Sequence, residues 1–160
     1  MSDSDLLSRA IEYASLSGKT LDLDSPLGHG TDGSVWKSSE KTAVKALELQ
    51  RSYSIEVECY KRFKKRNLRV IDGFAVPEML GFNDNLLVIE MRIVTPPFIL
   101  DFAKAWLDGP MEFEEGGHDE WLQDCEDRFE DNWPKVRLLL AALRQFGIYY
   151  YDAKPANITF

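Results

Sequence analysis

Three short stretches of this chain combine residue types that handle phosphate and protons. The first is Gly28-His-Gly30-Thr-Asp-Gly33-Ser-Val35, a G-x-G-x-x-G-x-V run. Glycine lets backbone N–H groups reach an anion with no side chain between them, although glycines also simply make hairpin turns. A dinucleotide-binding loop would run strand, glycines, helix, and a Walker loop would carry a lysine before Ser or Thr. Here strand-like segments lie on both sides and that lysine is lacking. The run therefore fits a hairpin folded over phosphates. The second stretch is Ala43-Val44-Lys45, a lysine in an otherwise apolar strand. A buried ammonium costs free energy unless paired, and strand alternation turns Val44 and Ala46 away from it, leaving Lys45 on the side of the glycine run. An exposed edge lysine is the plainer reading.

A partner acid is at hand. Glu56 and Glu58 follow Lys45 by eleven and thirteen residues in a predicted helix. At about 100° per residue they point roughly 200° apart, so only one faces inward. Glu56 lies beside Cys59, Tyr60 and Phe63 on the apolar side and is the expected pair for Lys45. The third stretch is Asp152-Ala-Lys154-Pro-Ala-Asn157. An aspartate there can orient and deprotonate a hydroxyl, a lysine two residues on can neutralise a transferring phosphoryl group, and an asparagine oxygen can ligate Mg²⁺.

The elements that must position these groups follow from periodicity. Leu6, Leu7, Ala10, Ile11 and Ala14 predict a helix over 4–17, capped by Ser4. Strands are predicted near 20–24, at Val35-Trp36 after the glycine turn, and over 42–47, giving an antiparallel meander. A helix over 52–66 ends in Lys61, Arg62, Lys64, Lys65 and Arg66, where the dipole favours positive charge. Strands near 74–81 and 86–93 flank the turn Asn83-Asp84-Asn85. Thr95-Pro96-Pro97 breaks the pattern and marks a boundary. Beyond it a short helix is predicted over 98–107, then an acidic loop with a helix near 119–130. The amphipathic helix at 133–146 carries Trp133, Val136, Leu139, Leu140, Leu143 and Phe146 on one stripe. A final short strand is expected at 158–160.

Composition bounds the rest. The 160 residues suit one domain or a small two-lobed one, with 44% hydrophobic and 29% charged residues. A net charge of −8 argues against nucleic acid or an anionic membrane surface as the main partner. Residues 108–131 hold eleven acids against one base, Arg128, which reads as a solvated face or as a site for a metal or a basic partner. Cys59 and Cys125 have no zinc-type spacing with each other or with His29 and His118, and imply no disulfide framework, so a reducing cytoplasm is expected. No apolar run approaches the roughly 18–20 residues of a transmembrane helix.

In order and type, the three motifs resemble the protein kinase superfamily. Ile55–Phe63 is similar to that family's helix C, with Glu56 as the ion-pair glutamate, and Leu87-Val-Ile-Glu-Met-Arg92 to its fifth strand and hinge. The resemblance implies an α+β fold in three parts. These are an N-terminal helix (1–19), an antiparallel five-stranded N-lobe with helix C (20–94), and a reduced, mostly helical C-lobe ending in the catalytic loop (95–160). It implies ATP held by Gly28, Gly30, Gly33, Val35, Lys45 and Glu56, with Ile89 as gatekeeper and backbone groups of Glu90 and Arg92 against adenine. Asp152, Lys154 and Asn157 would be catalytic, with Asn157 on Mg²⁺. The product would be a phosphorylated protein hydroxyl. The other expectation is a catalytically inactive, kinase-like module that binds nucleotide or a basic protein partner. Departures bear on the choice. The family's H-R-D is Tyr150-Tyr151-Asp152, and no D-F-G follows the asparagine, so its metal-binding aspartate is expected to be missing.

Overall fold

A computed structural model describes residues 2–160. Its chain order is α1 (Asp3–Leu16), β1 (Leu21–Asp22), β2 (Gly28–His29), β3 (Gly33–Ser38), β4 (Thr42–Leu47), α2 (Gln50–Lys65), β5 (Val70–Ile71), β6 (Phe74–Ala75), β7 (Met79–Asn83) and β8 (Val88–Arg92). Then follow β9 (Phe98–Ile99), β10 (Trp106–Leu107), α3 (Gly117–Phe129), a 3-10 turn (Glu130–Asn132), α4 (Trp133–Arg144), β11 (Ile148–Tyr149) and β12 (Ile158–Thr159). The fold is α+β, with mostly antiparallel sheets. The main sheet runs β1-β3-β4-β8-β7, and β2 folds onto β3 as a sixth strand.

β4 is buried on both faces, which is why Thr42–Leu47 shows no polar alternation. On one face Val44 and Ala46 pack with Trp36 and Val88 against Leu6, Ala10 and Tyr13 of α1. A helix of that length is marginal alone in water, so this docking holds it. The other face carries the larger core. It runs from Ala43 and Leu47 through Tyr53, Tyr60 and Phe63 of α2 to Phe102, Leu139, Leu143 and Ile158. The core is continuous across Thr95-Pro96-Pro97, so the expected boundary between 20–94 and 95–160 separates two segments of one core.

Several sequence expectations need correction. α1 starts at Asp3, and Ser2 rather than Ser4 precedes it, with no side-chain cap bond. Asp3 and Asp5 in the first turn favour that end through the helix dipole. Ile11 is exposed, and Tyr13 takes the buried face instead. The strand expected over 74–81 is cut at Pro77, which has no N–H to donate, so Phe74–Ala75 and Met79–Asn83 join different sheets. No helix forms over 98–107. There β9 lies between β12, antiparallel, and β6, parallel. Asp101 then takes a left-handed conformation (φ 62°), which turns Phe102, Ala103 and Ala105 into the core. The C-terminal half accordingly holds four short strands beside α3 and α4 and is not mostly helical.

Arg62 fastens α2 to the end of α4. Its guanidinium forms two hydrogen bonds with Asp108 (2.9 and 3.0 Å) and donates to the carbonyls of Phe146 and Gly147.

Candidate functional site

Register places Val35, Lys45 and Ile89 side by side on three neighbouring strands, facing α2. Lys45 Nζ donates to Glu56 Oε2 at 2.7 Å, and both side chains are buried. Glu56 projects inward because it follows Tyr53 and precedes Tyr60 on the apolar stripe of α2, whereas Glu58 stays at the surface with Arg62.

The same ammonium has a second acceptor that sequence reasoning missed. Asp101 Oδ1 lies 3.1 Å from Lys45 Nζ. Asp101 is 51 residues ahead of Asp152 in the chain, yet the two belong to one cluster. β12 pairs with β9 (Ile158 opposite Ile99), Leu100 N–H donates to the Asn157 carbonyl at 2.8 Å, and Tyr150 O–H donates to the Leu100 carbonyl at 2.7 Å. Residues on both sides of Asp152 thus hold the backbone next to Asp101. Burial, then Asp101 and Asp152, push the Tyr150 phenol well above its ordinary range, so it remains a donor. The available signal was Asp101-Phe102-Ala103, which differs from D-F-G by one methyl group.

Asp152, Lys154 and Asn157 meet in a tight loop. Asn157 Nδ2 donates to the Asp152 carbonyl (2.9 Å) and to Asp152 Oδ2 (3.1 Å), and Lys154 Nζ is 3.5 Å from the same oxygen. Asn157 therefore fixes the Asp152 carboxylate with its amide nitrogen, leaving the amide oxygen as its donor atom for a cation. The loop is braced from outside by α3. Trp121 Nε1 donates to the Tyr151 carbonyl at 3.0 Å, and Arg128 donates to that of Ala153 at 3.3 Å. Asp119, Glu120, Asp124, Glu126 and Asp127 on this helix are exposed, so the acidic segment adds no carboxylate to the cluster.

A third aspartate comes from the glycine hairpin. One carboxylate oxygen each of Asp32, Asp101 and Asp152 lie within 4.8 Å of one another. Three lysines answer them: Lys45 at Asp101, Lys154 at Asp152, and Lys104 at 3.0 Å from Asp32. Burial pushes the Lys45 ammonium down, but Glu56 and Asp101 outweigh it and hold its pKa up at about 12. Asp101 is pushed up by burial and pulled further down by Lys45, the Ala103 N–H and Lys154, so it sits below the ordinary carboxylate range. Glu56, deeper and facing the Asp101 charge, is held above it.

The glycines divide by role. A side chain on Gly33 would meet the Ala46 carbonyl at 2.1 Å, so this glycine serves the close approach of β3 to β4. Gly28 and Gly30 border open space, and these two keep the hairpin's face clear. The expected adenine contacts need correction as well. β8 is flanked by β4 and β7, so the backbone at Glu90 is committed to the sheet. The Arg92 N–H donates to the Glu78 carbonyl at 2.9 Å. The next backbone clear of the sheet is 93–95. Ile89 is fully buried behind Lys45.

Cys59 and Cys125 are buried free thiols. Among the described residues, no helix is long and apolar enough to cross a membrane. Comparison with protein-family models and with curated proteins finds no match, so the functional reading rests on this geometry.

Proposed function

We propose that this chain is a small kinase-like phosphotransferase that binds ATP and passes its γ-phosphoryl group to a protein hydroxyl. The observation that carries the reading is Lys45 shared between Glu56 and Asp101, with one carboxylate oxygen each of Asp32, Asp101 and Asp152 within 4.8 Å of one another. Two more carboxylates beside Asp101 repel it, a crowding of like charge that a purely structural ion pair does not need. Asp101 supplies this cluster with a carboxylate from ahead of the Asp152 loop.

The donor set fits Mg²⁺. Asp101, Asp32 and the Asn157 amide offer only hard oxygen atoms, with Asp152 beside them left to act as base. Bound there, the ion would neutralise charge on the phosphates. In the proposed reaction the hydroxyl oxygen attacks the γ-phosphorus while the bond to the β–γ bridging oxygen breaks, and ADP leaves with that electron pair. Asp152 takes the hydroxyl proton, held in place by Asn157. Lys45, fixed by Glu56, holds the α- and β-phosphates, and Lys154 steadies the γ-phosphoryl group. Gly28 and Gly30 let the hairpin lie over them, and the 93–95 backbone replaces Glu90 and Arg92 at adenine.

The test is titration of the intact protein with ATP, with Mg²⁺ present or withheld, followed by transfer of labelled phosphate to itself or to a mixed protein substrate. The reading requires Mg²⁺-dependent binding that Lys45→Met abolishes, and transfer that Asp152→Ala abolishes while binding survives. Absence of nucleotide binding would sink it. Binding without transfer would leave the inactive nucleotide-binding module.

A further inference from the structure

Lys104 stands three residues after Asp101, on the segment leading into β10. Its ammonium reaches back to the tip of the glycine hairpin, 3.0 Å from Asp32 Oδ2 and 3.0 Å from Thr31 Oγ1. The two partners differ in exposure. The Asp32 side chain is 11% exposed and belongs to the carboxylate cluster, whereas that of Lys104 is 45% exposed on a flexible four-carbon stem. Asp32, then burial, then the charges of Asp152 and Asp101 act on this ammonium, and the net effect raises its pKa. An ordinary surface ion pair contributes little and answers to one acid. Lys104 answers to three.

Charge balance says what happens when the site fills. Asp32, Asp101 and Asp152, with Glu56 behind Lys45, now face three ammonium groups. A divalent cation entering among the carboxylates turns the balance positive unless the lysines turn to a new anion. The nucleotide's phosphates are that anion. Lys45 cannot move far, being buried on Glu56. Lys104 can, and the open space beside Gly28 and Gly30 lies next to it along the hairpin.

We propose that Lys104 is a third phosphate-binding lysine, parked on Asp32 until a divalent cation takes that carboxylate, when it turns to the nucleotide's phosphates. This rests on the nucleotide reading above. It gives the resting hairpin a latch and makes the latch part of substrate binding.

Two titrations of the intact protein test it: free Mn²⁺ counted by electron paramagnetic resonance without nucleotide, and a fluorescent ATP analogue with Mg²⁺. Lys104→Gln should bind Mn²⁺ alone more tightly, because a competing cation is gone, and the nucleotide more weakly. Each change should be about tenfold, the size of one charge-assisted hydrogen bond. Lys104→Arg should restore nucleotide binding, and Asp32→Asn should weaken Mn²⁺ binding. If Lys104→Gln moves both affinities the same way, or neither, while Lys45→Met still abolishes nucleotide binding, the Lys104 assignment fails and the nucleotide reading stands. If the unmodified protein binds no nucleotide with Mg²⁺, both fail.

Discussion

Two buried glutamates occupy opposite faces of the same sheet, Glu90 toward α1 and Glu56 on α2, and each is met by a lysine and a tyrosine. Around Glu90 three donors close on one acid, and Lys19 lies 3.4 Å from the exposed Glu40 as well. Lys19 donates at 2.6 Å, Tyr13 at 3.1 Å and Thr42 at 2.5 Å, and Gly81 leaves room for the tyrosine, whose oxygen would sit 2.4 Å from a side chain there. Burial pushes Glu90 up, but these donors outweigh it and hold its pKa low. Around Glu56 the count runs the other way. Lys45 lies between Glu56 and Asp101, and Asp32 and Asp152 add two carboxylates, each with its own lysine, so four acids face three lysines. One face is a satisfied joint between helix and sheet. The other holds more carboxylates than ammonium groups, an arrangement that stability alone does not favour. The difference teaches that the ratio of acids to donors, more than burial, separates structure from site.

Substitutions on the two faces should therefore diverge. The largest stability loss is expected for Glu90→Ala, about 3–5 kcal/mol, because it strands a lysine and two hydroxyls in a buried place. Urea unfolding measures it, and nucleotide binding by the folded fraction should be unchanged. Lys45→Met should cost less, about 1–3 kcal/mol, since Glu56, already held above the carboxylate range, can accept a proton. Its nucleotide binding should nevertheless vanish in a fluorescence titration. Asp101→Asn keeps a residue that tolerates positive φ but removes the charge that Lys45 and the Ala103 N–H favour. A small loss, about 0.5–1 kcal/mol, is expected in thermal melting, together with lost Mg²⁺-dependent binding. A loss of stability with binding intact would make Asp101 structural and collapse the contrast.

The pH response sharpens the same comparison. Glu90 has a depressed pKa, so its contribution is complete above its ordinary value of 4.5 and is lost as pH falls through the folded-state value below that. Glu56 is raised, so its contribution runs oppositely, weakening as pH climbs above 4.5. In a pH series of urea melts, Glu90→Gln should flatten the acid limb and Glu56→Gln should not. The smallest effect is expected at the hairpin. Gly28→Ala meets nothing within 4 Å and should change stability by less than about 0.5 kcal/mol, while Gly33→Ala, facing a backbone carbonyl at 2.1 Å, should be plainly destabilising.

Much of this was readable from local pattern. Thr42–Leu47 matched as a strand, the stripe of α4 matched through Leu143, and the pairing of Glu56 rather than Glu58 with Lys45 followed from a helix wheel. What was not readable depended on contacts distant in sequence. The Leu-Asp-Phe-Ala-Lys-Ala stretch at 100–105 has helical composition, and only the pairing of β9 with β12 and β6 just before it, with the left-handed turn at Asp101, keeps it from forming a helix. Asp101 was hidden for the same reason. Nothing local ties it to residues some fifty positions away. Glu90 was placed at a hinge by resemblance, and its contacts with Tyr13, Lys19 and Thr42 come from residues 48 to 77 positions away.

The ladder between β9 and β12 also carries a consequence for how the protein is made. Synthesis delivers Asp101 long before Ile158 and Thr159, so until that late strand arrives the Asp101 strand lacks its antiparallel neighbour, and closing the intervening loop costs entropy before any contact repays it. On the proposed nucleotide reading, chains arrested on the ribosome short of Ile158 should retain no ATP analogue, and binding should appear once Ile158 and Thr159 clear the exit tunnel. Nucleotide binding would then report that β12 has paired with β9.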